Sequence, residues 1–279
     1  MNASREETLS ALNWLVEAGA DEAVGDSPVD RFTVRASPPA TQQRRVEGAA
    51  PLPPRPAPRA PGEGKRPLAA ITPTDGFASA LEIAARCTTL AELKAALEAF
   101  DGSQLRKLAQ NTVFADGNPA AGIMFIGEAP GRDEDAAGLP FVGRAGKLLD
   151  RMMAAIGLDR SSAYIANVMP WRPPDNRNPD PGEVAICIPF LRRHIELAAP
   201  KVIVLLGAVA ARHVLGLNDG IMKLRGRWLE YRIGSTMVPV LPTLHPAYLL
   251  RQPAHKKLAW RDLQSVADKL DAIGLRAQD

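Results

Sequence analysis

Four short apolar runs, set apart by stretches long enough for helices, constrain this chain more than any other feature. The runs occupy residues 122–126, 163–168, 201–206 and 238–242. Stretches 146–156, 181–198, 208–215 and 256–273 read as helices. Runs that are apolar throughout, rather than alternating, suit strands buried on both faces. Strands alternating with helices therefore predict an α/β fold: a three-layer α/β/α sandwich around a central four-stranded, mainly parallel sheet. In such sheets ligands bind beyond the carboxyl ends of the strands. The loops leaving those ends are 127–140, 167–179, 207–208 and 243–251, and they hold the chain's least ordinary polar residues.

This pattern fills only part of the 279 residues. The α/β domain is expected over 76–275. Residues 26–70 are rich in Pro, Ala and Arg, a composition that cannot bury enough apolar surface to fold, and read as a disordered linker. Within residues 1–25, Leu9, Leu12, Leu15 and Val16 share one face of a short amphipathic helix over 5–20, a candidate docking element for a protein partner. The net charge of +3 conceals a segregation: residues 1–32 hold two arginines against seven carboxylates, whereas 33–66 hold seven cations against two. The domain itself is only mildly basic, so any nucleic-acid binding must come from locally placed groups rather than a global basic field. No run of 18 apolar residues and no apolar leader are present, which excludes a membrane span and points to the cytoplasm. Two cysteines, Cys87 and Cys187, have no metal-ligand spacing. A monomer is expected.

The first loop reads Gly127-Glu128-Ala129-Pro130-Gly131-Arg132-Asp133-Glu134-Asp135 and continues to Pro140-Phe141-Val142-Gly143. Its glycines and proline make a sharp turn with exposed backbone. Four carboxylates within eight residues repel one another and raise some of their pKa values. They form either a solvated cap for the next helix or a device to orient water and stabilise a cation. Phe141 suits the core or an aromatic face for a planar ligand. In the second loop, Asn167 presents a donor and an acceptor that suit a pyrimidine edge, or else caps a turn. Arg172 and Arg177 can reach phosphates. In the fourth loop, His245 is held extended before Pro246, where a helix opens. Leu249 and Leu250 fit a helix core or an apolar wedge for a base stack, and Arg251 follows them. Together these groups fit a site for a flipped base.

The succession Gly-Glu-Ala-Pro-Gly, Pro-Phe-Val-Gly, Asn167, Arg-Pro-Pro-x-Asn-Arg-x-Pro and His-Pro-Ala-Tyr-Leu-Leu-Arg resembles the family-4 uracil-DNA glycosylases, from about Thr112 to Leu263. The resemblance implies a hydrolase for DNA repair, cleaving the N-glycosidic bond of deoxyuridine and leaving an abasic site. Phe141 would stack on uracil, with Gly127 and Ala129 shaping the pocket. Asn167 would bond the uracil edge and His245 would donate to O2. Leu249 or Leu250 would fill the gap left by the flipped nucleotide, and Glu128 or Glu134 would orient water or stabilise the cationic sugar. Arg172, Arg177 and Arg251 would bind DNA.

Two departures qualify the resemblance. The better-known glycosylase loop has an aspartate where Ala129 stands, so catalysis must lean on leaving-group stabilisation and on a different carboxylate or an asparagine. Similar enzymes also hold an iron–sulfur cluster on four cysteines. Here those positions fall at Phe100, Ser103, Trp171 and Cys187, leaving one thiolate where about four are needed. No cofactor is expected, and packing of Phe100 and Trp171 is expected in its place. A covalently trapped cousin carries a basic, histidine-containing insertion in the second loop, and residues 172–179 contain no histidine. The competing readings are a catalytically weak binder of uracil-containing or abasic DNA, and a glycosylase-like domain tethered to repair machinery through residues 1–20.

Overall fold

The computed structural model describes residues 75–275, so the expected helix over 5–20 and the linker over 26–70 lie outside the described residues. Three helices precede the sheet: α1 (Asp75–Arg86), α2 (Leu90–Ala99) and α3 (Gln104–Leu108). Then come β1 (Ala115–Gly117), β2 (Ile123–Gly127), α4 (Arg132–Ala137), α5 (Arg144–Ala154), β3 (Tyr164–Asn167), α6 (Pro181–Ala198), β4 (Val202–Leu206) and α7 (Ala208–Leu215). The chain closes with α8 (Ile221–Leu224), β5 (Leu229–Ile233), β6 (Thr236–Thr243), α9 (Pro246–Arg251) and α10 (Lys256–Ala272). No helix among the described residues is long and apolar enough to cross a membrane.

The four predicted strands form the middle of the sheet, in the order β3-β2-β4-β6, all parallel. The sheet is wider than predicted, with six strands: β1 joins β3 and β5 joins β6, both antiparallel. These edges have physical reasons to escape a search for buried runs. β1 is three residues long with no apolar residue beyond Ala115, and β5 alternates between half-buried and exposed positions as an edge strand does.

Side-chain alternation divides the core between the two faces. Met124 and Ile126 of β2, with Ile203 and Leu205 of β4, pack with α1, α2, α6 and α7. Ile123, Phe125, Val202, Val204 and Leu206 face the other way, against α5, α9 and α10. This is the expected three-layer sandwich. The start of α6 illustrates the local logic: Pro181 occupies the first turn, Asp180 Oδ1 accepts from the Glu183 amide (2.8 Å), and the Glu183 carboxylate accepts from the Asp180 amide (2.9 Å).

Candidate active site

Parallel pairing aligns the carboxyl ends of the central strands. Gly127 stands opposite Asn167, and Leu206 opposite Thr243. Pairing runs past the strand end, where the Val168 amide donates to the Gly127 carbonyl (2.9 Å) and the Met169 amide to the Glu128 carbonyl (3.0 Å). Asn167 is thereby fixed beside the first loop.

Gly127, Phe141, Asn167 and His245 converge there. A Cβ on Gly127 would lie 2.5 Å from the Phe141 ring and nearer still to Asn167 Oδ1, so only glycine lets the ring and the amide meet over this backbone. Asn167 is 8% exposed, and its Oδ1 has no hydrogen-bond donor among the described residues. A buried acceptor left unpaired is costly unless a ligand or a bound water supplies the donor. The Phe141 and His245 rings lie 5.6 Å apart between centroids, tilted by 31°.

His245 is the N-cap of α9, and its Nδ1 accepts from the Ala247 amide (3.1 Å). Burial, helped by the nearby Arg251 charge, pushes its pKa down to about 4. The imidazole is therefore neutral at physiological pH, and an occupied Nδ1 leaves the proton on Nε2 as a donor. Burial pushes the Glu128 carboxyl up from the usual carboxylate range. Glu128 and His245 line a cavity of about 370 Å³, together with Ala129, Arg177, Tyr248 and Arg251. Phe141 and Asn167 are not on the wall of this cavity; Asn167 lines a separate narrow cleft with Val168, Pro170 and Cys187, and the Phe141 ring meets the cavity only through His245.

Several predicted roles change. Glu134 is occupied by backbone: its carboxylate accepts from the amides of Gly131 (3.1 Å) and Gly143 (2.9 Å). It clamps the two ends of the loop and is a positioning residue, not a group placed to orient water. Repulsion among the four carboxylates is not what shifts Glu128: Asp135 turns away to accept from the Gln110 and Asn111 amides, and burial raises Glu128. Leu249 is 1% exposed within the core and cannot act as a wedge, whereas Leu250 is 37% exposed. Arg177 is already held by Glu183, and Arg172 Nε donates to Asn176 Oδ1 (2.8 Å).

Sequence reasoning missed Arg160. Phe141 has a φ of 56°, a left-handed conformation costly for a bulky residue. Arg160 holds it there: Nη2 donates to the Phe141 carbonyl (2.5 Å) and Nη1 to the Pro140 carbonyl (3.1 Å). Asp116 of β1 and Asp150 of α5 anchor the guanidinium from behind. On the other side, a Cβ on Gly146 would collide with that same Phe141 carbonyl. No local motif could reveal partners 10 to 44 residues apart in sequence. Arg160→Ala should release the Phe141 ring. A misplacement on the order of 1 Å costs up to about 10²-fold in catalysis. Steady-state kinetics with uracil-containing oligonucleotides should show that loss, with partial rescue in Arg160→Lys. Unchanged kcat/KM in the alanine variant would refute the positioning role.

At the positions where the resemblance would place cluster ligands, Phe100 and Trp171 stack with centroids 6.0 Å apart and an 8° interplanar angle. Phe190 packs edge-on against Phe100 at 5.1 Å. Cys187 is buried in the same core cluster, and burial raises its thiol pKa. Ser103 is buried with its Oγ unpartnered among the described residues.

A sheet whose carboxyl edge gathers an aromatic ring, an unpaired buried amide and a neutral histidine defines a class of protein that holds a planar heterocycle. The chain belongs to the Uracil DNA glycosylase superfamily, whose profile matches residues 114–264. Among its relatives it is similar to the type-4 uracil-DNA glycosylase of Sulfurisphaera tokodaii, 41% identical over 57% of this chain and 74% of that protein. It is likewise similar to the type-4 uracil-DNA glycosylases of Archaeoglobus fulgidus, 43% identical over 59% and 84% of the two chains, and Thermotoga maritima, 44% identical over 52% and 75%.

Proposed function

We infer that this protein excises uracil from DNA, hydrolysing the N-glycosidic bond of deoxyuridine and leaving an abasic site. The observation that carries the reading is the buried, unpaired Oδ1 of Asn167 beside the Phe141 ring. Uracil supplies what that atom lacks, an N3–H donor, and its adjacent O4 accepts from the Asn167 amide nitrogen. As the C1′–N1 bond breaks, its electron pair moves into the uracil ring and negative charge builds on O2. His245 Nε2–H stabilises that charge. Water adds to C1′ and loses its proton. Glu128, which lines the cavity with His245 and whose carboxyl burial pushes upward, takes the part of general base. Leu250 serves as the wedge, and Arg251 meets the backbone of the bound strand. The protein acts as a monomer in the cytoplasm, with residues 1–20 as the segment that engages a protein partner.

The reading is tested by incubating the protein with a uracil-containing oligonucleotide and treating the product with alkali. Strand breaks confined to the uracil position are expected. A stable gel shift without breaks would instead establish a uracil-DNA binder.

The proposal includes the absence of an iron–sulfur cluster. One thiol, one hydroxyl and two stacked aromatic rings do not fit a group that needs about four thiolates. Purified protein should be colourless, with no visible charge-transfer band and no stoichiometric iron by elemental analysis. A brown, iron-loaded preparation would contradict this.

A further inference from the structure

A second cavity, of about 790 Å³, adjoins the first between α6 and α7. The two share Glu128, Asn178, Pro179 and Val209 on their walls, so they form one continuous groove that starts at the carboxyl edge of the sheet and runs down between α6 and α7. The second cavity has an apolar lining, Val184 and Ile188 of α6 with Phe77 of α1. Its cations are Arg192 on α6 and Arg212 on α7, both exposed. Neither arginine has a carboxylate within ion-pair distance among the described residues, whereas Arg177, beside the first cavity, is paired with Glu183.

Apolar lining with unpaired arginines is the chemistry that receives an unpaired nucleic-acid strand. Base faces lie on carbon surface, and guanidinium groups take successive phosphates. A duplex keeps its base faces stacked inside and offers the lining nothing. We propose that this groove is a flanking-strand subsite, holding several unpaired nucleotides on one side of the flipped uracil nucleotide. Arg192 and Arg212 bind their phosphates, and the Phe77 ring offers a stacking surface. The proposal rests on the uracil-excision reading and names where the rest of the strand goes.

The test uses full-length protein and single-stranded oligonucleotides with one deoxyuridine, carrying either two nucleotides or about ten on each side. The variant is Arg192→Ala with Arg212→Ala, two exposed positions outside the catalytic group. KM for the long substrate should rise with kcat unchanged, while kcat/KM for the short substrate stays at the wild-type value. For two lost phosphate contacts on a single strand, the salt dependence of log affinity should flatten by about 1.4. Equal effects on long and short substrates, or no change in salt slope, would overturn the subsite. Failure of wild-type protein to excise uracil from either substrate would overturn the functional reading itself.

Discussion

Replacing His245 with alanine is expected to lower kcat for uracil release by about 10²–10³, the usual cost of removing one donor aimed at a developing oxyanion. DNA affinity should change little, because the bond proposed from Nε2 to uracil O2 would strengthen only as charge accumulates. Three features of the site support this. Nδ1 is committed to the Ala247 amide, the ring lies against Phe141, and burial keeps the imidazole neutral. The alanine variant also removes the α9 cap, worth about 1 kcal/mol, so His245→Asn, which keeps a side-chain acceptor there, separates capping from chemistry. The pH profile supplies an independent check. With the pKa at about 4, no His245 titration should appear between pH 8 and 5, and the tautomer is lost only as pH falls through about 4. An apparent pKa near 6.5 that vanishes in His245→Asn would contradict the neutral-donor role. Stability follows the same sign. His245 and the buried His194, at about 3, both resist protonation in the folded chain. Below about pH 6.5 the unfolded chain takes up those protons first, so stability falls progressively with acid.

Trp171→Ala is expected to be the most damaging core substitution, costing on the order of 3–5 kcal/mol. That corresponds to a fall in Tm of roughly 10 °C, at about 2–4 °C per kcal/mol for a domain of this size. Trp171 is fully buried, stacks on Phe100 and donates Nε1–H to Thr112 Oγ1 (3.1 Å). It also closes the segment that begins at Asn167, which the Val113 amide secures by donating to the Pro170 carbonyl (2.8 Å). Losing the indole should therefore reduce excision even below the new Tm. Trp171→Phe retains a stacking ring and loses only one hydrogen bond, so its cost should be nearer 1 kcal/mol. Thermal melts of the two variants distinguish a packed aromatic staple from a tolerant surface: near-equal Tm values would refute the staple.

The central strands were legible because burial on both faces writes an unbroken apolar run, as in Val202–Leu206. The edge strands were not: β5 has one wet face, and β1 is set by pairing with β3 rather than by its own residues. The site was legible to the extent that parallel strands bring loop motifs to one edge, which united Glu128, Asn167 and His245. Spacing could not say where each side chain points. Glu134 reads like Glu128 in sequence, yet its oxygens belong to the Gly131 and Gly143 amides. Leu249 and Leu250 are adjacent on a helix, so one turns into the core and the other outward. Arg160 lies outside every motif, and its importance emerges only from the strained Phe141 backbone it holds.

The most direct test of the account is to quantify free uracil released from a deoxyuridine oligonucleotide by wild-type protein and by Asn167→Ala in parallel. The account predicts one uracil per substrate from the wild type, an abasic product, and release slowed by orders of magnitude in the variant. Intact oligonucleotide bound to wild-type protein with no free uracil, or equal release by both proteins, would contradict it.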